Sequence, residues 1–228
     1  MRANEISVII PVYNGALHLA EAIETVLAQT VAAMAIIVVD DGSEDETPQV
    51  AARFAGSIHY VRQAHGGAAQ ARNVGTHYVD SEYLAFLDSD DTWVPHKLER
   101  QLTELRNCEE ATMIFGNCIQ FPSSELTSDE MAALKFDSFA TPGITASALF
   151  MRTRDFRAVG QFNAKLRMGE FIEWYARARD KGFATKVLPE VVFHRRLHRG
   201  NHGRLVLDAR LQYVRAIKTV MARRSLIL

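Results

Sequence analysis

Tyr83-Leu84-Ala85-Phe86-Leu87-Asp88-Ser89-Asp90-Asp91 carries five apolar residues straight into three carboxylates. A short, unbroken apolar run ended by polar residues is the pattern of a strand buried on both faces. Such strands belong to parallel sheets covered by helices. Sheets of that kind bind ligands just outside the carboxyl ends of their strands. The stretch therefore predicts an architecture and one edge of a site together.

The same alternation precedes it. Residues 6–10 form a strand closed by Pro11, and residues 16–29 place Leu19, Ile23, Val26 and Leu27 at helical spacing. Residues 35–39 are a second buried strand. Ser43 with Glu46 three residues later makes a capping-box pattern that opens a helix towards Phe54. A strand over 58–62, a helix over 68–79 and a helix over 97–106 follow, the last with Pro95 in first-turn position. Repeated strand-helix-strand order predicts an α/β, Rossmann-like architecture with a mostly parallel central sheet flanked by helices. Three strand ends then bring Pro11-Val12-Tyr13-Asn14, Asp40-Asp41-Gly42-Ser43 and Asp88-Ser89-Asp90-Asp91 to one crevice.

The second half is less regular. A Pro-, Ser- and Thr-containing loop is expected over 121–128, a strand over 144–151, a helix over 169–181 closed by Gly182, and a strand over 191–198. A final helix over 205–221 carries Leu207, Leu211, Val214, Lys218 and Met221 on one stripe, with Arg204, Arg210, Arg215, Arg223 and Arg224 elsewhere. It is expected to dock on its own domain or on a second copy in a homodimer; peripheral contact with anionic lipid is the alternative. The organisation expected is one domain over 1–228: a nucleotide-binding half to about 106, an acceptor half over 107–203, and the helical tail 204–228.

Composition narrows the partners. The net charge of −1 argues against nucleic acid, which usually asks for a basic excess. Cys108 and Cys118 form no CxxC pair and no disulfide framework. The five or six apolar residues before Pro11 are too few for a signal-peptide core, and no stretch reaches the ~20 apolar residues of a membrane span. The expected location is cytoplasmic, at most peripheral on the inner face of the membrane.

Three aspartates within four residues repel one another unless a cation neutralises them. Oxygen ligands of this kind suit Mg²⁺ or Mn²⁺ bridging to substrate phosphates. The alternative is an acidic turn that caps the following helix. Arg195 and Arg196 can bind phosphate oxygens, and the neutral imidazole of His198 can complete a metal shell. His194, His198 and His202 recur every four residues, but Val191-Val192-Phe193 reads as a strand, which sets a helical metal face aside. His65-Gly66-Gly67 suits a tight turn near a ligand and lacks the P-loop ending.

Pro11-Val12-Tyr13-Asn14, then Val39-Asp40-Asp41-Gly42-Ser43 with Asp45 and Thr47, then Ala71-Arg72-Asn73-Val74-Gly75, then Phe86-Leu87-Asp88-Ser89-Asp90-Asp91 occur in that order. The ordered set resembles the inverting family 2 glycosyltransferases of the GT-A fold, over roughly residues 5–200. The resemblance implies that Tyr13, flanked by Pro11 and Asn14, packs on a nucleotide base, with Asp40 or Asp41 bonding the base edge or ribose. It implies that Arg72 positions the donor, and that Asp88, Asp90 and Asp91 share the metal and ribose, with Asp90 and Asp91 assigned to the metal. His198 falls to the metal or diphosphate and Arg195 to the donor phosphates. The family often has Glu-Asp where this chain has Glu170-Phe171, so the base falls to Glu170 or, three residues on, Glu173.

The implied activity is metal-dependent, inverting transfer from a nucleotide diphosphate sugar, UDP-linked by family habit. The acceptor would be a saccharide or lipid-linked hydroxyl in cell-surface polysaccharide or glycolipid synthesis. Phe171 keeps a second reading open, a nucleotide-sugar-binding protein without turnover. Asp88-Ser89-Asp90-Asp91-Thr92 also approaches the Asp-x-Asp-Gly-Thr motif of aspartate-nucleophile phosphatases, without its glycine.

Overall fold

A computed structural model describes residues 5–199 apart from 109, 135 and 137. The helix expected over 205–221, and with it His202, lies outside the described residues.

Four strands form the parallel half of the sheet: β1 (Ile6–Val12), β2 (Ala35–Asp40), β3 (His59–Arg62) and β4 (Tyr83–Phe86). β1 is buried along its whole length, as a strand with helices on both faces must be. It extends past Pro11, where the sequence predicts its end. Ile9 offers its carbonyl to Leu87 on the β4 side, so Pro11, two residues on, faces the same side after β4 has stopped. No partner there asks for the amide hydrogen that proline lacks. Helices α1 (Leu19–Leu27), α2 (Thr47–Ala52) and α3 (Ala68–Thr76) make the crossovers. α3 lies tight on the sheet because residue 75 is glycine: a Cβ there would stand 2.5 Å from Ile9 Cγ2.

The chain continues through β5 (Thr92–Trp93), α4 (Lys97–Asn107), β6 (Met113–Pro122), α5 (Ser128–Ala133), β7 (Thr141–Pro142), β8 (Phe150–Arg152), α6 (Thr153–Val159), α7 (Glu170–Asp180) and β9 (Thr185–Leu197). The sheet order is β3-β2-β1-β4-β8-β6-β9-β5, with β7 beside β6. β8 runs antiparallel between β4 and β6, β6 and β9 are parallel, and β5 is antiparallel to β9. The sheet is thus parallel through β4 and mixed beyond it. Phe156, Phe162 and the fully buried Trp174 pack together, ring centroids 5.3–5.6 Å apart, with Phe156 stacked on Trp174.

Three local expectations are corrected. The Ser43–Glu46 capping box does not form: Ser43 Oγ accepts from the Asn14 amide at 2.9 Å, and Glu46 caps α2 without a side-chain bond. A capping box does form at Thr127 and Glu130, opening α5. The strand expected over 144–151 is a 3₁₀ turn, Ala146–Ala148, followed by the three residues of β8. The turn points Ser147 at the aspartate cluster, a tertiary demand that outweighs apolar patterning. The loop expected from 121 starts later, because Phe121 and Pro122 still pair with Arg196 and Leu197 in β9. Among the described residues, no helix is long and apolar enough to cross a membrane.

Candidate active site

Val12 and Asp40 are register partners, so the ends of β1 and β2 lie level, and β4 ends alongside at the aspartate cluster. Tyr13 leaves β1 41% exposed, with its ring 4.1 Å from that of His65. The two rings make an open aromatic platform. Asn14, at φ 49°, turns the chain there, and its side chain accepts from the Glu44 amide at 2.8 Å.

Asp40 and Asp41 build this end from beneath. Asp40 is fully buried, accepts from the Ser43 amide at 2.7 Å and receives the Tyr60 hydroxyl. Burial and then the Asp40 bond push that phenol well above its ordinary range. Asp41 accepts from the amides of Gly66 and Gly67 at 2.8 and 2.7 Å, from Gln63 Nε2 at 2.6 Å, and lies 2.9 Å from His65 Nδ1. Gly67 sits at φ 92°, a region glycine enters without penalty. Both aspartates thus spend their oxygens on protein groups, and Asp41 holds the loop that sets His65 against Tyr13. Pro11 is buried in the strand behind them.

The other end centres on the turn after β4. Arg72, 5% exposed on α3, donates to Asp88 Oδ1 at 2.5 Å and to Glu170 Oε1 at 2.7 Å. Glu170 opens α7 from a left-handed Gly169. Ser147 Oγ accepts from the Asp88 amide at 3.1 Å and donates to Asp91 Oδ2 at 2.9 Å. Asp91 Oδ1 accepts from the Arg196 amide at 3.1 Å. Burial, then the charges of Asp90 and Asp88, push the Asp91 carboxyl well above the usual carboxylate range. Burial works the same way on Asp90, but the hydrogen bond and charge of His198 outweigh it and hold that carboxyl low. His198 Nε2 is 2.8 Å from Asp90 Oδ2. The crowding that raises Asp91 is the condition a cation would relieve, and clustered carboxylate oxygens fit Mn²⁺ or Mg²⁺.

Of the expected residues, the fold brings Arg72, Asp88, Asp90, Asp91, Glu170 and His198 to one place, with Tyr13, Asn14, Asp40 and Asp41 at the neighbouring strand ends. Glu173 is elsewhere: 4% exposed, it accepts from Arg177 Nε and Nη2, which also ties down the carbonyls of Val159 and Gln161. Arg195 is exposed on the far face of β9. Arg196, buried with its guanidinium 4.5 Å over the Phe121 ring, donates to the Asp90 carbonyl at 3.0 Å and pairs with Glu21. Period-two alternation carried the signal, since Arg196 and His198 must share a face that Arg195 does not. Ser147, His18 and Glu125 also reach this region and carried no sequence signal of their own. Phe171, where the family often has an acid, packs against Phe115, Trp174 and Tyr175.

Residues 7–159 match glycosyl transferase family 2. An uncharacterized glycosyltransferase of Rickettsia prowazekii is 40% identical over 109 residues, 48% of this chain and 34% of that protein. Glycosyltransferase GlyG of Streptococcus pneumoniae is 35% identical over 124 residues, 53% of this chain and 41% of that one. The matches thus span well under half the length of these relatives. The crystal structure of S. aureus TarS 1–349 in complex with UDP-GlcNAc superposes with a TM-score of 0.74 at 16% identity, over 95% of this chain and 65% of that one. That likeness speaks for the fold, the GT-A arrangement. The aspartate-nucleophile alternative is left without support. With more than half of its residues inside the match, this chain belongs to glycosyl transferase family 2.

Proposed function

We propose that this chain transfers a sugar, with inversion, from a UDP-linked donor to an acceptor hydroxyl. The observation that carries the reading is Arg72, one buried guanidinium bonded to both Asp88 and Glu170. It couples the donor-side carboxylates to an acid at the mouth of the acceptor half. The Tyr13–His65 platform suits a nucleobase by stacking. The TarS structures with UDP and with UDP-GlcNAc support a uridine nucleotide as the donor carrier.

Asp88 and Asp90, with Asp91 beside them and His198 bonded to Asp90, would hold Mn²⁺ or Mg²⁺, which supplies positive charge where the leaving diphosphate gains negative charge. The rest of the chemistry falls to the chain's own groups. Arg72 occupies Oε1 of Glu170 and orients the carboxylate, leaving Oε2 to accept a proton. The acceptor hydroxyl passes its proton there as its oxygen bonds to the anomeric carbon. The bond to the diphosphate breaks, and its electron pair leaves with UDP. Saccharide or lipid-linked acceptors in cell-surface polysaccharide or glycolipid synthesis, met on the cytoplasmic side, fit this chemistry.

Incubating the purified chain with Mn²⁺ and a panel of UDP-sugars, and following UDP release and anomeric configuration by NMR, tests the reading. UDP release that needs the cation and inverts the anomeric centre is expected. Phe171 favours the second reading, a binder without turnover. Cation-dependent UDP binding with no sugar consumed would establish that instead.

A further inference from the structure

Buried polar atoms are almost always paired, and the exceptions need a cause. His18 is 8% exposed, and its Nε2 has no hydrogen-bond partner among the described residues. It sits at the entry to α1 with its ring edge-on to His198, centroids 5.2 Å apart. Glu125, in the turn after β6, faces both rings. One carboxylate oxygen is 3.8 Å from His18 Nε2, and the other is 4.0 Å from His198 Nδ1. A ligand atom from each of the three residues lies within 4.8 Å of the others.

We propose that His18, Glu125 and His198 form a binding site for a zinc-like transition-metal cation, fastening the turn after β6 to α1 and β9. Two imidazoles and a carboxylate with one open position are a ligand set that zinc takes and that oxygen-seeking cations do not. Ligands about 2.0–2.2 Å from a tetrahedral ion stand about 3.3 Å from one another. Loading therefore requires a contraction of roughly half an ångström to 1.5 Å from ligand atoms that now lie within 4.8 Å of one another. Glu125 can supply much of it, since its side chain is 24% exposed and on a connection between elements.

The surroundings already orient the ligands. Asp90 holds His198 by Nε2 at 2.8 Å, the carboxylate–histidine arrangement that fixes a ring for a metal on its other nitrogen. The turn that bears Glu125 hangs on β9 one residue before His198, through the Ser123 amide to the Leu197 carbonyl at 2.8 Å. Asp90 would then touch both centres, which would tie the closing of this turn to the donor end. The site goes beyond the donor reading and touches it only through the His198–Asp90 bond.

The test uses the full chain, stripped of metal and titrated with Co²⁺ in excess Mg²⁺, which fills oxygen-only sites. One cobalt with the absorption of a four-coordinate ion is expected. His18→Gln and Glu125→Gln should each weaken it by about tenfold or more and abolish that absorption. Glu125 lies on a partly exposed turn, so its variant tests the site without disturbing the core. Zn²⁺ should slow amide exchange at 123–126 in the parent and not in Glu125→Gln. Cobalt held by both variants as tightly as by the parent overturns the proposal. Mn²⁺-dependent UDP binding, measured on the same samples, separates the two readings: its loss in the parent counts against the donor reading alone.

Discussion

Arg72 Nη1 donates to Glu170 Oε1 at 2.7 Å, joining helices whose facing residues are 98 positions apart in the chain. The bond holds one carboxylate oxygen and leaves the other for the proton transfer proposed above. Glu170→Gln retains the size and an acceptor for Arg72 but cannot take a proton. Transfer should fall about 10²–10⁴-fold, the usual worth of a general base. UDP affinity, measured by calorimetry, should stay within a few-fold. Unchanged transfer would remove Glu170 from the base role.

Arg72→Met leaves Asp88 and Glu170 facing each other without their cation. Breaking a fully buried pair typically costs about 3–5 kcal/mol. Asp88 keeps 35% side-chain exposure, so solvent screens part of the loss. A destabilisation on the order of 2–4 kcal/mol is expected in urea unfolding. Arg72→Lys should recover only part of it, because an ammonium cannot reproduce the two-armed geometry.

Asp90→Asn removes charge from the carboxylate that faces His198. Mn²⁺-dependent UDP binding should weaken by more than about tenfold, with transfer lost in proportion. Binding of UDP without added cation should change little. Equal Mn²⁺ dependence in parent and variant would take Asp90 out of the metal role.

Asn73 is a structural counterpart in the same motif. Its side chain donates to the Phe162 carbonyl and accepts from the Phe162 amide, both at 2.9 Å and buried. Asn73→Ala leaves two backbone groups unpaired, at about 1–3 kcal/mol each. The urea midpoint should drop accordingly, with the slope of the transition unchanged.

Lys97 is fully buried, its Nζ 2.7 Å from Gln101 Oε1 and 4.0 Å from the Trp93 ring centroid. Burial holds its pKa well below the ordinary lysine range. Between that depressed value and the ordinary one near 10.4, the unfolded chain binds the extra proton. Stability from this group therefore rises with pH through the window, by at most about 1.4 kcal/mol per pH unit, and levels off above it. Lys97→Met should lose this rise. Unfolding free energies of parent and variant, compared from pH 7 to 10, should converge towards the alkaline end; a constant gap would show that Lys97 is charged in the native state.

Much of the first half of the chain was legible because each of its signals is local. Unbroken apolar runs such as 35–39 and 83–87 mark buried parallel strands, and polar residues just after them mark the ligand edge. Ser43 shows the limit of a local signal. Ser-x-x-Glu is a sound helix signal, but the Asn14 amide, 29 residues away, competes for the same hydroxyl and wins. Ser147 shows the reverse case: an apolar run that patterning reads as a strand is bent so that one hydroxyl can serve Asp88 and Asp91.

The sequence alone determined the α/β order, the three strand-end motifs and the carboxylate turn, all set by residues near one another in the chain. Only the tertiary structure decided between Glu170 and Glu173 as the acid at Arg72, and between Arg196 and Arg195 as the residue at the aspartate turn. It alone brought His18 and Glu125 to His198. A helix or strand pattern says which residues share a face, but packing between distant elements decides which face meets the site.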